Sequence, residues 1–445
     1  MEETLFPVEP GEERQTVEAS GAPRLVRANR AQLQLLAVDL EALVSPDHEV
    51  RAIWAFVESL DLEPLYAGVR AVEGAVGRPA IDPQIYLALW LYATVQGVGS
   101  ARSLQALTEK HDAYRWICGG VQVNYHSLAD FRVAHEAILD GLLTQSVGVL
   151  MAKGLVTLKR VAQDGMRVRT SAGSGSFRRK ARLHQFLSEA KQQVQRLREE
   201  LEHDPQATHR REAQAQQRAA EERERRVSAA LEQMKELEEQ SRQAKKRKDR
   251  PPKELRVSTT DPEARILKMA GGGYRPAYNG QFCVDVASQI VVGVDLNNHN
   301  NDRGQLAPMI AQLERRYSQR PAEILADGDF AQLDDVEKVS QLGTTVYVPL
   351  PPPKNRRRDP HLPMRGDSPA VAQWRERMGT EEAKQIYKQR ACSVECVNAM
   401  ARQRGLHAFR VRGLRKTRAV LLWYALTHNM MRALSLLSPP LEATV

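Results

Sequence analysis

The chain has 445 residues, enough for two or three domains with a sizeable core. Its formal net charge of +9 and pI near 9.4 favour a polyanionic partner, nucleic acid before an anionic membrane. The sequence shows no apolar run long enough to span a bilayer and no charged-then-apolar leader, and four scattered cysteines exclude a disulfide framework; the expectation is a cytosolic protein without membrane partner or small-molecule substrate.

In chain order, residues 1–25 read as a flexible arm rich in Glu, Pro and Gly. Residues 26–153 read as a helical region. Leu33, Leu35, Leu36, Val38 and Leu40 open the pattern, and IDPQIYLALWLYATVQG follows with Pro83 in its first turn. SARSLQAL starts another helix with Ser103 as its cap, and NYHSLADFR one more near His126–Ser127. Short helices with small-residue joints suit a helix-turn-helix-like DNA-binding domain; a helical packing domain without DNA contact is the alternative. GLVTLKRVAQDGMRVRT then reads as a strand delivering Asp164 at its end, and it opens an α/β region over 154–440.

Residues 180–250 interrupt that region with Gln, Glu, Lys, Arg and Ala. Leu187, Ala190, Val194, Leu197 and Leu201 step at helical spacing, and after Asp204–Pro205 so do Val227, Ala230, Met234, Leu237, Ser241 and Ala244. This predicts an inserted antiparallel coiled-coil hairpin, against the alternative of a charged linker. From 274 the period becomes two: Phe282, Val284, Val286, then Val292, Val294, Leu296, with Ala287–Gln289 between, a β-hairpin. A helix at 303–316, a strand ending on Asp327, a strand at 344–350, a Pro/Arg loop, helix over 371–404 and a final apolar helix at 415–436 complete a mixed sheet with helices around it.

Residues 351–418 hold 17 Lys or Arg against 6 Asp or Glu, so the positive field is concentrated there. Phosphodiester chemistry with Mg²⁺ needs few protein parts: two hard cations about 3.5–4 Å apart, held by a few carboxylates. Asp164 follows an apolar strand, Asp327 ends another, and Glu395 lies on a helix between Arg390 and Arg402. Asp329 competes with Asp327 in LADGDF, where Asp327 directly follows the apolar run. Asp285 and Asp295 fall on the polar face of the β-hairpin and are expected to be exposed. Cys392 and Cys396, four apart on the expected helix without further ligands nearby, are read as small core residues.

These residues reach a known family. YKQRACSVECVNAMARQRGLHAFRVRGLRKTRAVLLWYALTHNM closely resembles the end of DDE-type transposases of bacterial insertion sequences, whose signature places Tyr, Arg, Glu and Lys or Arg along one helix. Tyr387, Arg390, Glu395 and Arg402 match, with four residues between Arg390 and Glu395, one more than in the commonest form. LADGDF resembles the turn carrying the family's second Asp, with Asp329 and Phe330 where Gly and Tyr are usual; VAQDGMRVRTSA resembles the first-Asp strand, and RPAIDPQIYLALWLYATVQG and NYHSLADFR the N-terminal helical domain. The resemblance covers roughly residues 45–440. It implies a ribonuclease-H-like fold, with Asp164, Asp327 and Glu395 binding two Mg²⁺ (or Mn²⁺) for cleavage at element ends and strand transfer into target DNA. It further implies DNA contacts by Tyr387, Arg390 and Arg402, terminal-repeat recognition by the N-terminal domain through Arg102, Lys110 and Arg132, and double-stranded DNA as partner of at least a dimer. A DNA-binding relative without catalysis is the alternative that the altered turn at Asp329 and Phe330 leaves open.

Overall fold

The structure, a computed structural model, describes residues 37–72, 79–203, 210–245, 254–352 and 359–437. The expected arm at 1–25, the opening leucines Leu33, Leu35 and Leu36, the end of the inserted segment at 246–252 and part of the Pro/Arg loop lie outside the described residues. From Leu40 to Leu437 the described residues form one compact unit.

The sheet is organised around β1 (Arg160–Arg169), which pairs on one side with β5 (Tyr274–Asp285), antiparallel, and on the other with β7 (Glu323–Leu325), parallel. β6 (Val291–Asn297) pairs antiparallel with β5, and β8 (Thr345–Tyr347) parallel with β7, giving the order β6-β5-β1-β7-β8. Short β4 (Arg265–Lys268) adds to the outer end of β5. Three antiparallel strands followed by two parallel ones form the ribonuclease-H-like mixed sheet that the resemblance implies. The β5–β6 hairpin falls where the period-two pattern places it. Asp164, however, sits in the middle of β1 rather than at its end, because the strand continues through GMRVR and stays paired with β5 as far as Arg169.

Between β1 and β5 lie β2 (Phe177–Arg178), the long helices α8 (Lys180–His203) and α9 (Arg210–Lys245), and β3 (Val257–Ser258). The helices run antiparallel: Lys180 pairs with Glu238 at 2.8 Å near one end and Arg198 with Glu221 at 3.2 Å near the other. Their seam buries Leu183, Ala190, Val194, Val227, Ala230 and Met234. β2 pairs with β3 across the base, so both ends of the insert are stitched together. An inserted helical hairpin is therefore present.

The helices before the sheet are α1 (Glu49–Glu58), α2 (Glu63–Tyr66), α3 (Pro83–Val95), α4 (Ala101–Lys110), α5 (Asp112–Cys118), α6 (Tyr125–Ala134) and α7 (Glu136–Ala152). Pro83 occupies the first turn of α3, where its missing N–H costs nothing, and Asp82 caps it by accepting from Gln84 N. The cap of α4 is Ser100, accepting from Ser103 N, so Ser103 is the recipient rather than the cap. Val38 and Leu40 are exposed and non-helical, so they do not open the helical region.

After β6 come α10 (Leu306–Tyr317), α11 (Leu333–Gln341), α12 (Pro369–Gly379), α13 (Glu381–Lys388), α14 (Cys396–Gln403) and α15 (Leu414–Leu437). α15 packs on α3, α6, α7 and β6, and the N-terminal helices and the sheet share one continuous apolar core. Trp423 on α15 donates its indole N–H to the Arg132 carbonyl at 3.0 Å, and Asn429 clamps Val291 at the start of β6 through two bonds of 2.7 Å. Arg418 ion-pairs with Glu136 and Asp140 of α7. Trp423→Ala should therefore cost about 3–5 kcal/mol, with far-UV ellipticity and tryptophan fluorescence still lost together in one urea transition. Two separated transitions in the wild-type chain would show that the helices and the sheet are independent.

Candidate active site

Along β1 the side chains alternate. Gln163, Gly165 and Arg167 face the segment leading into α10, and Asp164 faces the helices that follow β8. Asp164 Oδ1 accepts from Arg390 Nη2 at 2.9 Å and Oδ2 from Asn398 Nδ2 at 2.8 Å. Burial pushes the Asp164 carboxyl up to about 6, the nearby Asp327 charge adds to the rise, and Arg390 and Asn398 oppose it.

β7 is only three residues long, and the chain leaves it at Ala326–Asp327. Asp327 caps the short turn Gly328–Phe330 by accepting from Asp329 N at 2.9 Å, and Phe330 anchors that turn in the core. The second oxygen of Asp327 lies 3.9 Å from Arg390 Nη2, whereas Asp329 is exposed and pairs at 3.8 Å with Arg167. Burial raises the Asp327 carboxyl, with Arg390 opposing.

Arg390 ends the segment begun by α13 and is itself buried at 8 % exposure. Its Nη1 donates to Glu395 Oε1 at 2.6 Å. In a regular α-helix a residue five positions on is rotated about 140° away. Here residues Ala391–Glu395 form a π-helical turn, which absorbs one extra residue and turns Glu395 back toward Arg390. The additional residue noted in the signature is thus taken up by the backbone. Tyr387 is half-buried beside Arg390, and burial raises its phenol. Burial pulls the Arg390 guanidinium down, but Asp164, Tyr387, Asp327 and Glu395 outweigh it and hold it above its ordinary value.

Asp164, Asp327 and Glu395 therefore meet around one guanidinium. Asn398, one turn after Glu395, was not singled out by sequence; its only signal was its position on the same helical face. Arg402 lies a further turn along that face and is exposed. Behind β1, Asp302 is buried, accepting from Asn279 Nδ2 at 2.5 Å and from Gln281, and 3.8 Å from Arg167. Gly165 is required there, because a Cβ would collide with the Asp302 carboxylate. Asp302 was not singled out by sequence either.

Other sequence expectations are corrected. Arg132 is buried: it stacks 4.7 Å from the Trp90 ring, donates to the Gly99 carbonyl at 2.7 Å, and burial pulls its guanidinium down to about 10. It stabilises the α3–α6 packing and offers no charge to a surface ligand. Arg102 and Lys110 on α4 are exposed, the former 4.9 Å over the Tyr125 ring. Asp285 is not exposed: it is buried and accepts from the Ser288 hydroxyl at 2.7 Å to close the β5–β6 turn, while Asp295 is half-buried. Cys392 and Cys396 are exposed rather than core residues.

Residues 252–430 match the family described as Transposase DDE domain, and residues 38–134 match Transposase domain (DUF772). The chain belongs to the DDE-type transposases of insertion sequences. No curated protein and no solved structure matches it. The first match takes in Asp327 and Glu395 of the transposase but begins after the inserted hairpin, so Asp164 enters the cluster on geometry. DDE transposases are enzymes of the polynucleotidyl-transferase type and use divalent metal ions. Among the described residues, no three acidic, histidine or cysteine side chains are arranged to hold an ion as they stand, and Arg390 lies between the carboxylates. The donor set nevertheless fits a hard divalent cation: three carboxylates, with the buried Asn398 Oδ1 left without a partner.

The pH dependence follows from Asp164. A carboxyl with its folded pKa near 6, above its unfolded value, disfavours folding once ionised, so stability falls as pH rises from about 4 through 6. Asp164→Asn should remove that loss and stabilise the metal-free transposase at pH 8 by on the order of 2 kcal/mol, a gain that fades toward pH 4. Thermal melts at both pH values check it; equal gains at both would refute the assignment.

Proposed function

We propose that this transposase binds the terminal inverted repeats of its element and carries out metal-dependent strand cleavage and strand transfer into target DNA, with Asp164, Asp327 and Glu395 as the catalytic and metal-binding acids. The observation that carries the reading is the meeting of these three carboxylates, from a central strand, a strand end and a helix, on Arg390.

Two Mg²⁺ or Mn²⁺ ions, when bound, would activate the attacking oxygen and stabilise the leaving oxygen. The chain supplies the positions. Asp164 is fixed by the pairing of β1 with β5 opposite Phe282, just past the stretch paired with β7, and Asn398 holds one of its oxygens. Asp327 is fixed by its capping bond and by Phe330. Glu395, half-exposed, is the acid nearest solvent and so closest to an incoming DNA strand. Tyr387, Arg390 and Arg402 lie along the same segment and would contact phosphates next to the scissile bond. The helical region 26–153 would recognise the element ends, with Arg102 and Lys110 contacting DNA. Paired ends need at least a dimer on double-stranded DNA, and the hairpin is proposed to mediate it.

Asp164→Asn, Asp327→Asn and Glu395→Gln should each lower cleavage of an element-end duplex in Mg²⁺ by at least about 10³-fold while leaving duplex binding without metal intact, and Asp329→Asn should cut normally. Normal cutting by Asp327→Asn together with loss in Asp329→Asn would transfer the second role to Asp329; normal cutting by all three would end the reading.

A further inference from the structure

We propose that Arg390 is the resident cation of the metal-free site, that it and a divalent ion are alternative occupants of the space between Asp164, Asp327 and Glu395, and that its displacement couples metal binding to DNA-phosphate binding. The proposal rests on the reading that these acids are the metal ligands.

The first ground is which oxygens are engaged. Asp164 Oδ1 and Glu395 Oε1 both accept from Arg390, Asp327 Oδ2 is 3.9 Å from it, and the remaining Asp164 oxygen is held by Asn398. The carboxylate lone pairs that face the centre of the cluster are therefore directed at the guanidinium. An ion at that centre needs the same lone pairs and the same volume.

The second ground is charge. Three carboxylates face a single guanidinium in a partly buried site, so the cluster is under-neutralised and attracts further positive charge. Conversely, a doubly charged ion beside an immobile guanidinium would be repelled at short range through a low dielectric. Exchange satisfies both requirements, and simultaneous occupancy satisfies neither.

The third ground is how Arg390 is held. Its Nε is buried without a hydrogen-bond partner, so the head is retained by the carboxylates it bridges and by the Tyr387 hydroxyl. Once those carboxylates turn to a metal ion, the guanidinium keeps only the neutral Tyr387 hydroxyl and has no counter-charge in a partly buried site, and a phosphate oxygen is the anionic acceptor that a DNA substrate brings. Binding linkage then requires reciprocity: whatever factor the metal adds to DNA affinity, DNA adds to metal affinity.

The test titrates Mn²⁺ into the full-length, DNA-free protein by calorimetry, for wild type, Arg390→Met, Arg390→Lys and Asp164→Asn. Arg390→Met should bind Mn²⁺ at least about five-fold more tightly than wild type, with Arg390→Lys in between. Mn²⁺ should also tighten wild-type binding of a short DNA duplex by a similar factor, and tighten duplex binding by Arg390→Met by less. Mn²⁺ affinity in Arg390→Met equal to or below that of wild type would overturn the proposal. If Arg390→Met does not fold, Arg390→Lys decides: tighter Mn²⁺ binding supports exchange, and unchanged or weaker binding overturns it. Asp164→Asn binding Mn²⁺ as well as wild type would instead overturn the metal-ligand reading itself.

Discussion

The guanidinium of Arg390 holds together carboxylates from three parts of the chain that sequence separates widely, and much of the architecture can be read as what it takes to bring them there. Asp164 is delivered by a strand paired on both edges, Asp327 by the first turn after a parallel strand, and Glu395 by a π-helical turn. Charge-assisted bonds of 2.6–2.9 Å to two of them are strong in a partly buried site. Removing the arginine would leave three carboxylates without a counter-charge and cost several kcal/mol, whereas neutralising one acid relieves part of their excess negative charge. Arg160 makes a similar tie at the edge of the site. It pairs with Glu323 at the start of β7 and donates to Gln389 at 2.7 Å, joining both parallel strands to the segment that carries Arg390.

What was legible in the sequence is what local periodicity encodes. The β5–β6 hairpin showed as strict alternation, the inserted helices as a thin seam, and the last helix as an apolar run. What was not legible depends on partners distant in the chain. Asp164 looked like a strand end because Gly165 follows it, yet Gly165 and Arg167 remain in the ladder with Gln281 and Asn279 opposite them. Gln163, Asn279 and Gln281 are buried polar groups that bond to one another or to Asp302, and a hydropathy pattern scores each as a break. Arg132 looked like a surface cation on a short helix; Trp90 and Trp423, one far before it and one far after, bury it. Asn398 was overlooked because an amide within a basic helix has no signature until its partner is known.

The inserted hairpin shows why such a long excursion does not disturb the site. Its two ends are adjacent in space, joined by the β2–β3 pair and by the bond between the Ser176 and Ser258 hydroxyls at 2.7 Å. The hairpin carries a small apolar cluster of its own, around Leu183, Leu231, Met234 and Val257, separate from the main core. The cost of closing a loop grows only slowly with its length, and an insert that folds on itself and re-enters beside its exit places no strain on β1 or β5. The same geometry accounts for the reach of the family match. It begins at 252, where the chain returns to the shared fold, although β1 before the hairpin belongs to the same sheet.

The π-helical turn bears on how tightly the third acid is constrained. An extra residue in a helix can shift everything after it by one position or be absorbed locally. A shift would rotate Asn398 and Arg402 off the face they share with Glu395, and it would carry Glu395 away from Arg390. Local absorption keeps all of them on one face at the cost of poorer backbone hydrogen bonding over a single turn. That turn lies at the surface, where Cys392 and Cys396 on either side of Glu395 are exposed. One side of the turn is thus open to solvent while Ser393 and Val394 pack its other side against the sheet, whereas Asp164, on the central strand, is largely buried and its carboxyl is raised by burial. A fixed acid beneath and an adjustable one above suit a site whose occupant changes, because the upper carboxylate can follow the cation while the lower one defines where it sits.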